Sequence, residues 1–189
     1  MKIGIHRDKS LVVNILSKSF DSNQSINYIV KNDKRRTDRI EYLMEYCFEI
    51  CLMKGKIFLS DDSKACALLL FPEKKTALFK NLILDISLAI NVVGISRIGK
   101  ILRREKRIKE NQPIGKFFYL WFIGVLPEEQ GNGIGGKLLH EIIQYYQKER
   151  RQFYLETSNL QNLPWYRGFG FDIVNEIDIG YKLYQMVRQ

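Results

Sequence analysis

The apolar positions change period along the chain, and each change marks an element. Leu11, Ile15, Leu16 and Phe20 recur at helical spacing and predict a first helix over 11–20, after a short strand over 3–6. The polar, basic run 21–37 predicts a loop or a broken helix. In 38–53, Ile40, Leu43, Met44, Cys47, Phe48 and Cys51 share one side of a second helix, with Tyr42, Tyr46 and Glu49 on its other sides. Strands over 56–59 and 65–71 follow, joined by Ser60-Asp61-Asp62-Ser63-Lys64 and closed by Pro72. Residues 77–110 then read as one long helix or two shorter ones, with Gly94 and Gly99 as candidate breaks. Within it, Asp85, Asn91, Arg97 and Lys100 interrupt the apolar run 82–101. A membrane-spanning helix, which needs about 20 apolar residues in succession, is therefore not expected.

The second half is more sharply patterned. Phe117 to Val125 is a nearly unbroken apolar strand, followed by the turn Leu126-Pro127-Glu128-Glu129-Gln130 and the loop Gly131-Asn132-Gly133-Ile134-Gly135-Gly136. From Lys137 to Glu149, Leu138, Leu139, Ile142, Ile143 and Tyr146 fall three and four apart, giving a helix with one apolar face. A strand over 152–156, a helix through Leu163 to Tyr166, and paired strands over 172–179 and 181–187 complete the order. Strands and helices mixed in this way predict an α/β sheet flanked by helices in a single domain, residues 1–189.

Glycines at a strand-to-helix junction let the backbone approach a ligand and turn its N–H groups toward an anion, which the positive end of the helix dipole also favours. The ligand expected at Gly131 to Gly136 therefore carries phosphate, and three patterns fit the loop. Gly131 and Gly136-Lys137 have the spacing of a nucleotide-triphosphate loop, but Leu138 stands where a hydroxyl must reach magnesium. Gly131, Gly133 and Gly136 also fit G-x-G-x-x-G, with Glu156 about 20 residues on, as a dinucleotide site wants. In that site, however, the strand runs straight into the first glycine, whereas here a turn containing Pro127 intervenes.

The third pattern accounts for more residues. Gln130-Gly131-Asn132-Gly133-Ile134-Gly135 resembles the Q/R-x-x-G-x-G/A signature of the GNAT family of N-acetyltransferases, and Val125-Leu126-Pro127-Glu128 is similar to the approach to that signature. Asn159, Tyr166 and Gly170-Phe171 are similar to the segment that follows it. The resemblance implies a GNAT-like mixed, mostly antiparallel central sheet, and acetyl-CoA-dependent transfer of an acetyl group to a primary amine of a small molecule or a protein. It implies that Ile123, Gly124 and Val125 border the pantetheine arm of acetyl-CoA, with an N–H such as that of Ile123 on the thioester oxygen. Gln130 to Lys137 would hold the pyrophosphate, and Asn159 the coenzyme. Tyr166 would protonate the departing thiolate, with Glu156 as the candidate base. The wall of the acceptor site would come from the first two helices and their connection, with Tyr28, Tyr46 and Glu49 as candidates. The alternatives are a catalytically silent acyl-CoA-binding module and a dinucleotide enzyme using the same loop.

Charge adds partners to weigh. Thirty Lys and Arg against 21 Asp and Glu give a formal net charge of +9, with clusters at Arg97 to Lys109 and Lys31 to Arg39. No aromatic residues interleave with either cluster, so solvated faces are expected rather than a nucleic-acid site. Cys47, Cys51 and Cys66 show neither a disulfide framework nor metal-ligand spacing, and no metal is expected. Buried thiols and a charged start without an apolar leader predict a cytoplasmic protein. A homodimer is compatible with the pattern.

Overall fold

The computed structural model describes residues 1–74 and 85–189. Part of the predicted 77–110 helix, residues 77–84, lies outside the described residues. Seven strands form one sheet: β1 (Lys2–Ile3), β2 (Gly55–Leu59), β3 (Ala65–Leu70), β4 (Phe117–Val125), β5 (Gln152–Thr157), β6 (Asp172–Asp178) and β7 (Lys182–Arg188). Their order is β1-β2-β3-β4-β5-β7-β6, and every pair is antiparallel except β4 with β5. This is the mixed, mostly antiparallel sheet expected, and it is not the parallel doubly wound sheet that the dinucleotide reading requires.

The helices are α1 (Lys9–Ser19), α2 (Gln24–Ile29), α3 (Arg36–Lys54), α4 (Ile98–Lys109), α5 (Ile134–Tyr145) and α6 (Asn162–Gly168). The short α2 lies within the expected loop. Asn23 nucleates it, its Oδ1 accepting from the N–H groups of Ser25 and Ile26 at 2.9 and 3.3 Å. A π-helical turn over Ala89–Val93 ends at Gly94, whose φ of 81° breaks the run as predicted. Gly99 lies inside α4 and breaks nothing.

Strand alternation sends side chains to two cores. On one face Phe58, Ala67, Phe118, Leu120, Phe153, Leu155 and Met186 pack under Leu138, Leu139, Ile142 and Tyr146 of α5 and Tyr166 of α6. On the other, Cys66, Leu68 and Phe122 pack with Val12, Ile15 and Leu16 of α1 and Met44, Cys47 and Phe48 of α3. All three cysteines are buried and unpaired. Burial pushes the Cys51 thiol up to about 12, so it remains protonated, as the plain structural reading of these thiols requires.

Most side chains of the basic clusters are exposed, as expected, while a few arginines are tied into the fold. Arg97 donates to the carbonyls of Tyr28 and Val30, Arg107 to that of Asp178, and Arg39 to Asp33 at 2.8 and 3.0 Å. Among the described residues no helix is long and apolar enough to cross a membrane.

Candidate active site

The site begins where two neighbouring strands part. β4 and β5 pair only from Phe117 with Gln152 to Leu120 with Leu155. Beyond that point β4 continues beside β3 alone, and a bulge leaves Trp121 without a β3 partner between Leu120 and Phe122. The fork exposes one edge of β4. Leu126 N–H donates to the carbonyl of Lys64, the residue before β3, so by alternation Gly124 and Phe122 also turn their backbone groups to β3, and Val125 and Ile123 turn theirs into the fork. The Val125 carbonyl is accordingly free to accept from Gln130 Nε2 at 3.1 Å.

Of the predicted trio, Ile123 and Val125 therefore present backbone to the site, and Gly124 does not. Gly124 has a different reason to be glycine. A Cβ there would lie 3.1 Å from both Leu16 Cδ2 and Ser19 Oγ, so its missing side chain is what lets α1 close on the sheet.

The glycine loop follows at the end of β4. Gly131 and Gly133 have φ of 82° and 75°, a region L side chains enter only at a cost. Gly135 and Gly136 are already helical, so α5 starts at Ile134 rather than at Lys137 as the pattern suggested. Gly133 caps the helix without a side-chain acceptor. Among the described residues no N–H from Gly131 to Gly136 has a partner, which leaves a row of donors at a helix N-terminus. The neighbouring donors are already committed. Gln130 N–H goes to the Pro127 carbonyl at 3.3 Å and Lys137 N–H to that of Gly133 at 2.9 Å, so the row of free N–H groups is shorter than the segment Gln130 to Lys137. The Lys137 side chain is exposed on the first turn.

Gly135 is also tight against its neighbour, whereas Gly136 would make only an ordinary contact. A Cβ on the first would meet Val125 Cγ2 at 3.1 Å, and one on the second would meet Phe169 Cζ at 3.5 Å.

Loop and fork open into one cleft of about 1040 Å3. Ile123, Val125, Gln130, Gly131 and Gly133 to Gly136 line one side, Asn159 and Tyr166 another, and Phe20, Ser22, Asn23 and Gln24 close it from the α1–α2 connection. Ser158 also lines it, one residue before Asn159. No local signal in the sequence had marked that serine. Asn159 does not cap α6. Its Oδ1 accepts from Gln161 N–H at 3.0 Å in a turn ahead of the helix. Tyr166 is 6% exposed; burial raises its phenol, and no hydrogen bond holds that hydroxyl among the described residues.

Glu156 is placed differently. It is the residue after Leu155, the last of β5 to pair with β4, and it alternates to the face opposite Tyr166. There Tyr154 Oη donates to its Oε1 at 2.7 Å, and Gln185 Nε2 donates to Tyr154 Oη at 2.5 Å. Burial pushes its carboxyl up to about 7, against the opposing pull of the Tyr154 hydrogen bond and the Arg104 charge. Glu156 is thus the group in this region poised to exchange a proton near neutral pH.

Residues 91–171 match the model described as the acetyltransferase (GNAT) family. Over those residues the chain is similar to the GNAT acetyltransferases.

The fold likeness extends across the whole chain. A Corynebacterium glutamicum protein described as histone acetyltransferase HPA2 and related acetyltransferase superposes with a TM-score of 0.67 at 14% identity, over 99% of this chain and 93% of that one. Arylalkylamine N-acetyltransferase 2 of Aedes aegypti superposes with a TM-score of 0.66 at 14% identity, over 98% and 95%. Among curated proteins, an uncharacterized N-acetyltransferase of Schizosaccharomyces pombe is 43% identical over 54 residues. That match spans 29% of this chain and 22% of the yeast protein.

The other residues considered for the acceptor wall have structural partners. Tyr46 Oη bonds Asp85 at 2.8 Å, Glu49 pairs with Lys9 at 3.3 Å, and the Tyr28 ring packs on Tyr181 at 5.4 Å. Among the described residues no His, Cys, Asp and Glu cluster is arranged to hold a metal.

Proposed function

We propose that the chain is an acetyl-CoA-dependent N-acetyltransferase acting on a primary amine of a small molecule or a protein. The observation that carries the proposal is the single cleft joining the fork, the unpartnered N–H groups of Gly131 to Gly136 and the unengaged Tyr166 hydroxyl. Those residues fit acetyl-CoA. The loop supplies donors to a pyrophosphate without a metal ion, and the open edge of β4 supplies backbone partners for an amide-bearing arm.

In this reading the amine approaches the fork from the Glu156 face and attacks the thioester carbon. Glu156, or a water it holds, takes the amine proton, and Ile123 N–H donates to the oxygen as charge develops on it. When the C–S bond breaks, Tyr166 gives its proton to the thiolate, so the products are an amide and the free thiol. Asn159 steadies the coenzyme beside Tyr166, and Lys137 adds positive charge at the loop. The buried thiols suit a cytoplasmic location.

The first test is the melting temperature with acetyl-CoA, and with NADH as control. At a hundredfold excess over Kd, binding adds about 2.7 kcal/mol, a rise of about 5 to 10 °C for a chain of this length. A rise with acetyl-CoA and none with NADH is expected. An amine panel scored by release of free thiol then tests turnover and separates an enzyme from a silent acyl-CoA-binding module.

A further inference from the structure

Ser158, on the cleft wall, is linked to the far face of the sheet by hydrogen bonds whose direction is set at one end. Arg104 is 7% exposed. Its Nε and Nη2 donate to Tyr181 Oη at 3.0 and 2.9 Å, and its Nη1 donates to Glu105. A guanidinium only donates. Both lone pairs of the Tyr181 oxygen are therefore taken, and its proton must point onward, to Ser25 Oγ at 3.0 Å. Ser25 then accepts from Tyr181, which leaves its own hydrogen for Ser158 Oγ, 3.5 Å away, a long and weak link that must shorten to act as a full hydrogen bond. Ser158 receives a bond from inside the protein and keeps its own proton free, facing the cleft. The four residues come from α4, the β6–β7 turn, α2 and the end of β5, so only the folded chain assembles them.

A chain of hydroxyls that begins on a buried cation is polarised toward its far end, where the last O–H is a stronger donor than an isolated serine. We propose that Ser158 is the ligand-facing donor of this Arg104–Tyr181–Ser25 chain and that it binds a carbonyl oxygen of the acyl-CoA lying in the fork. The inference rests on the acyl-CoA reading above. Tyr181 and Ser25 act through Ser158 and are positioning residues.

Two carbonyl sources are open to this donor: the acyl thioester and an amide of the pantetheine arm. They separate in binding experiments with three probes, acetyl-CoA, CoA and adenosine 3′,5′-bisphosphate, titrated calorimetrically into the parent chain, Ser158→Ala, Ser158→Thr and Tyr181→Phe. Loss of one such hydrogen bond is expected to weaken affinity about 3- to 10-fold. If Ser158→Ala weakens acetyl-CoA alone, the thioester is the partner; if it weakens acetyl-CoA and CoA equally, the amide is. In either case the bisphosphate, which lacks the arm, binds unchanged, Ser158→Thr restores affinity, and adding Tyr181→Phe to Ser158→Ala costs little more than one variant alone. A merely structural link would instead weaken all three probes and add independently. Unchanged affinity for acetyl-CoA and CoA in both Ser158→Ala and Tyr181→Phe would overturn the proposal while leaving the acyl-CoA reading intact. Failure of every probe on the parent chain would overturn both. If Tyr181→Phe proves unstable, Ser25→Ala removes the same link without stranding the Arg104 guanidinium so directly.

Discussion

Tyr166 and Glu156 stand on opposite faces of the sheet, either side of the point where β4 and β5 separate. A thioester in the fork would thus have a proton donor on one side and a proton acceptor on the other. The two groups need not interact, and their pKa values are set independently by their own surroundings.

Tyr166→Phe is the cleanest test of the donor. The hydroxyl makes no hydrogen bond among the described residues, so its removal should leave the melting temperature within about 1 °C of the parent, the small change typical where no buried partner is stranded. Because burial raises the phenol, it stays protonated throughout the neutral range and adds no pH limb. Loss of the acid should lower kcat about 100-fold, with little change in acetyl-CoA affinity. A rate equal to the parent's, measured by thiol release, would remove Tyr166 from the chemistry.

Glu156 predicts a pH dependence of two kinds. Its carboxylate form, required of a base, grows as pH rises through about 7, so the rate should climb to a plateau above that pH. Stability should run the other way. The folded-state pKa is raised, so the protonated form's contribution is fully present below about 4.5, the carboxyl's ordinary value, and is lost as pH rises through about 7. Glu156→Gln removes the ionisation. It should lack the rate limb, lower kcat about 100-fold or more, and melt higher than the parent at pH 8 by a margin that shrinks toward pH 5. Circular dichroism melts across that range decide the stability part even before an acceptor is known.

Some of this was legible in the chain and some was not, for physical reasons. The apolar faces of α1, α3 and α5 follow from side-chain periodicity alone, and the glycine loop announces an anion site because few residues other than glycine populate positive φ. Which glycines do so is a tertiary outcome: Gly131 and Gly133 are left-handed, while Gly135 and Gly136 enter the helix and matter through contacts with Val125 and Phe169. Gly124 looked like part of the ligand edge, but its backbone parity is set by β3 and its side chain by α1, neither visible in the local sequence. Arg104 reads as one more charge on a solvated basic helix, yet it is buried, because Tyr181, 77 positions away, accepts its hydrogen bonds. The fork depends on where two strands stop pairing, and an unbroken apolar run such as Phe117 to Val125 carries no mark of that point.

The two kinds of loop glycine should respond differently to alanine. At Gly133 an added Cβ meets nothing within 4 Å, so Gly133→Ala costs only the left-handed conformation, about 1 to 2 kcal/mol. The N–H row would shift as that strain relaxes, and affinity for acetyl-CoA should fall. At Gly135 the backbone is ordinary but the Cβ stands 3.1 Å from Val125 Cγ2. Gly135→Ala should therefore push on the edge of β4 and weaken CoA and acetyl-CoA alike, with a smaller loss of stability. Calorimetric titration beside a denaturant melt separates the two patterns. Equal, unchanged affinities in both variants would mean the loop is not the ligand cradle.

Gly55 and Gly99 give the sharpest contrast in stability. Gly55 opens β2 beside Leu69, and a Cβ built there would fall 2.0 Å from the Leu69 carbonyl oxygen and 3.1 Å from Cys51 Sγ. Backbone cannot yield as a flexible side chain does, so Gly55→Ala must spread β2 from β3 at a cost of about 3 kcal/mol. Gly99 lies in the first turn of α4 with nothing within 4 Å of an added Cβ. There alanine only restricts the unfolded chain, and Gly99→Ala should stabilise by about 0.5 to 1 kcal/mol. Urea denaturation of the two variants checks both signs. Destabilisation by Gly99→Ala would mean that residue is a helix break after all and that α4 begins beyond it.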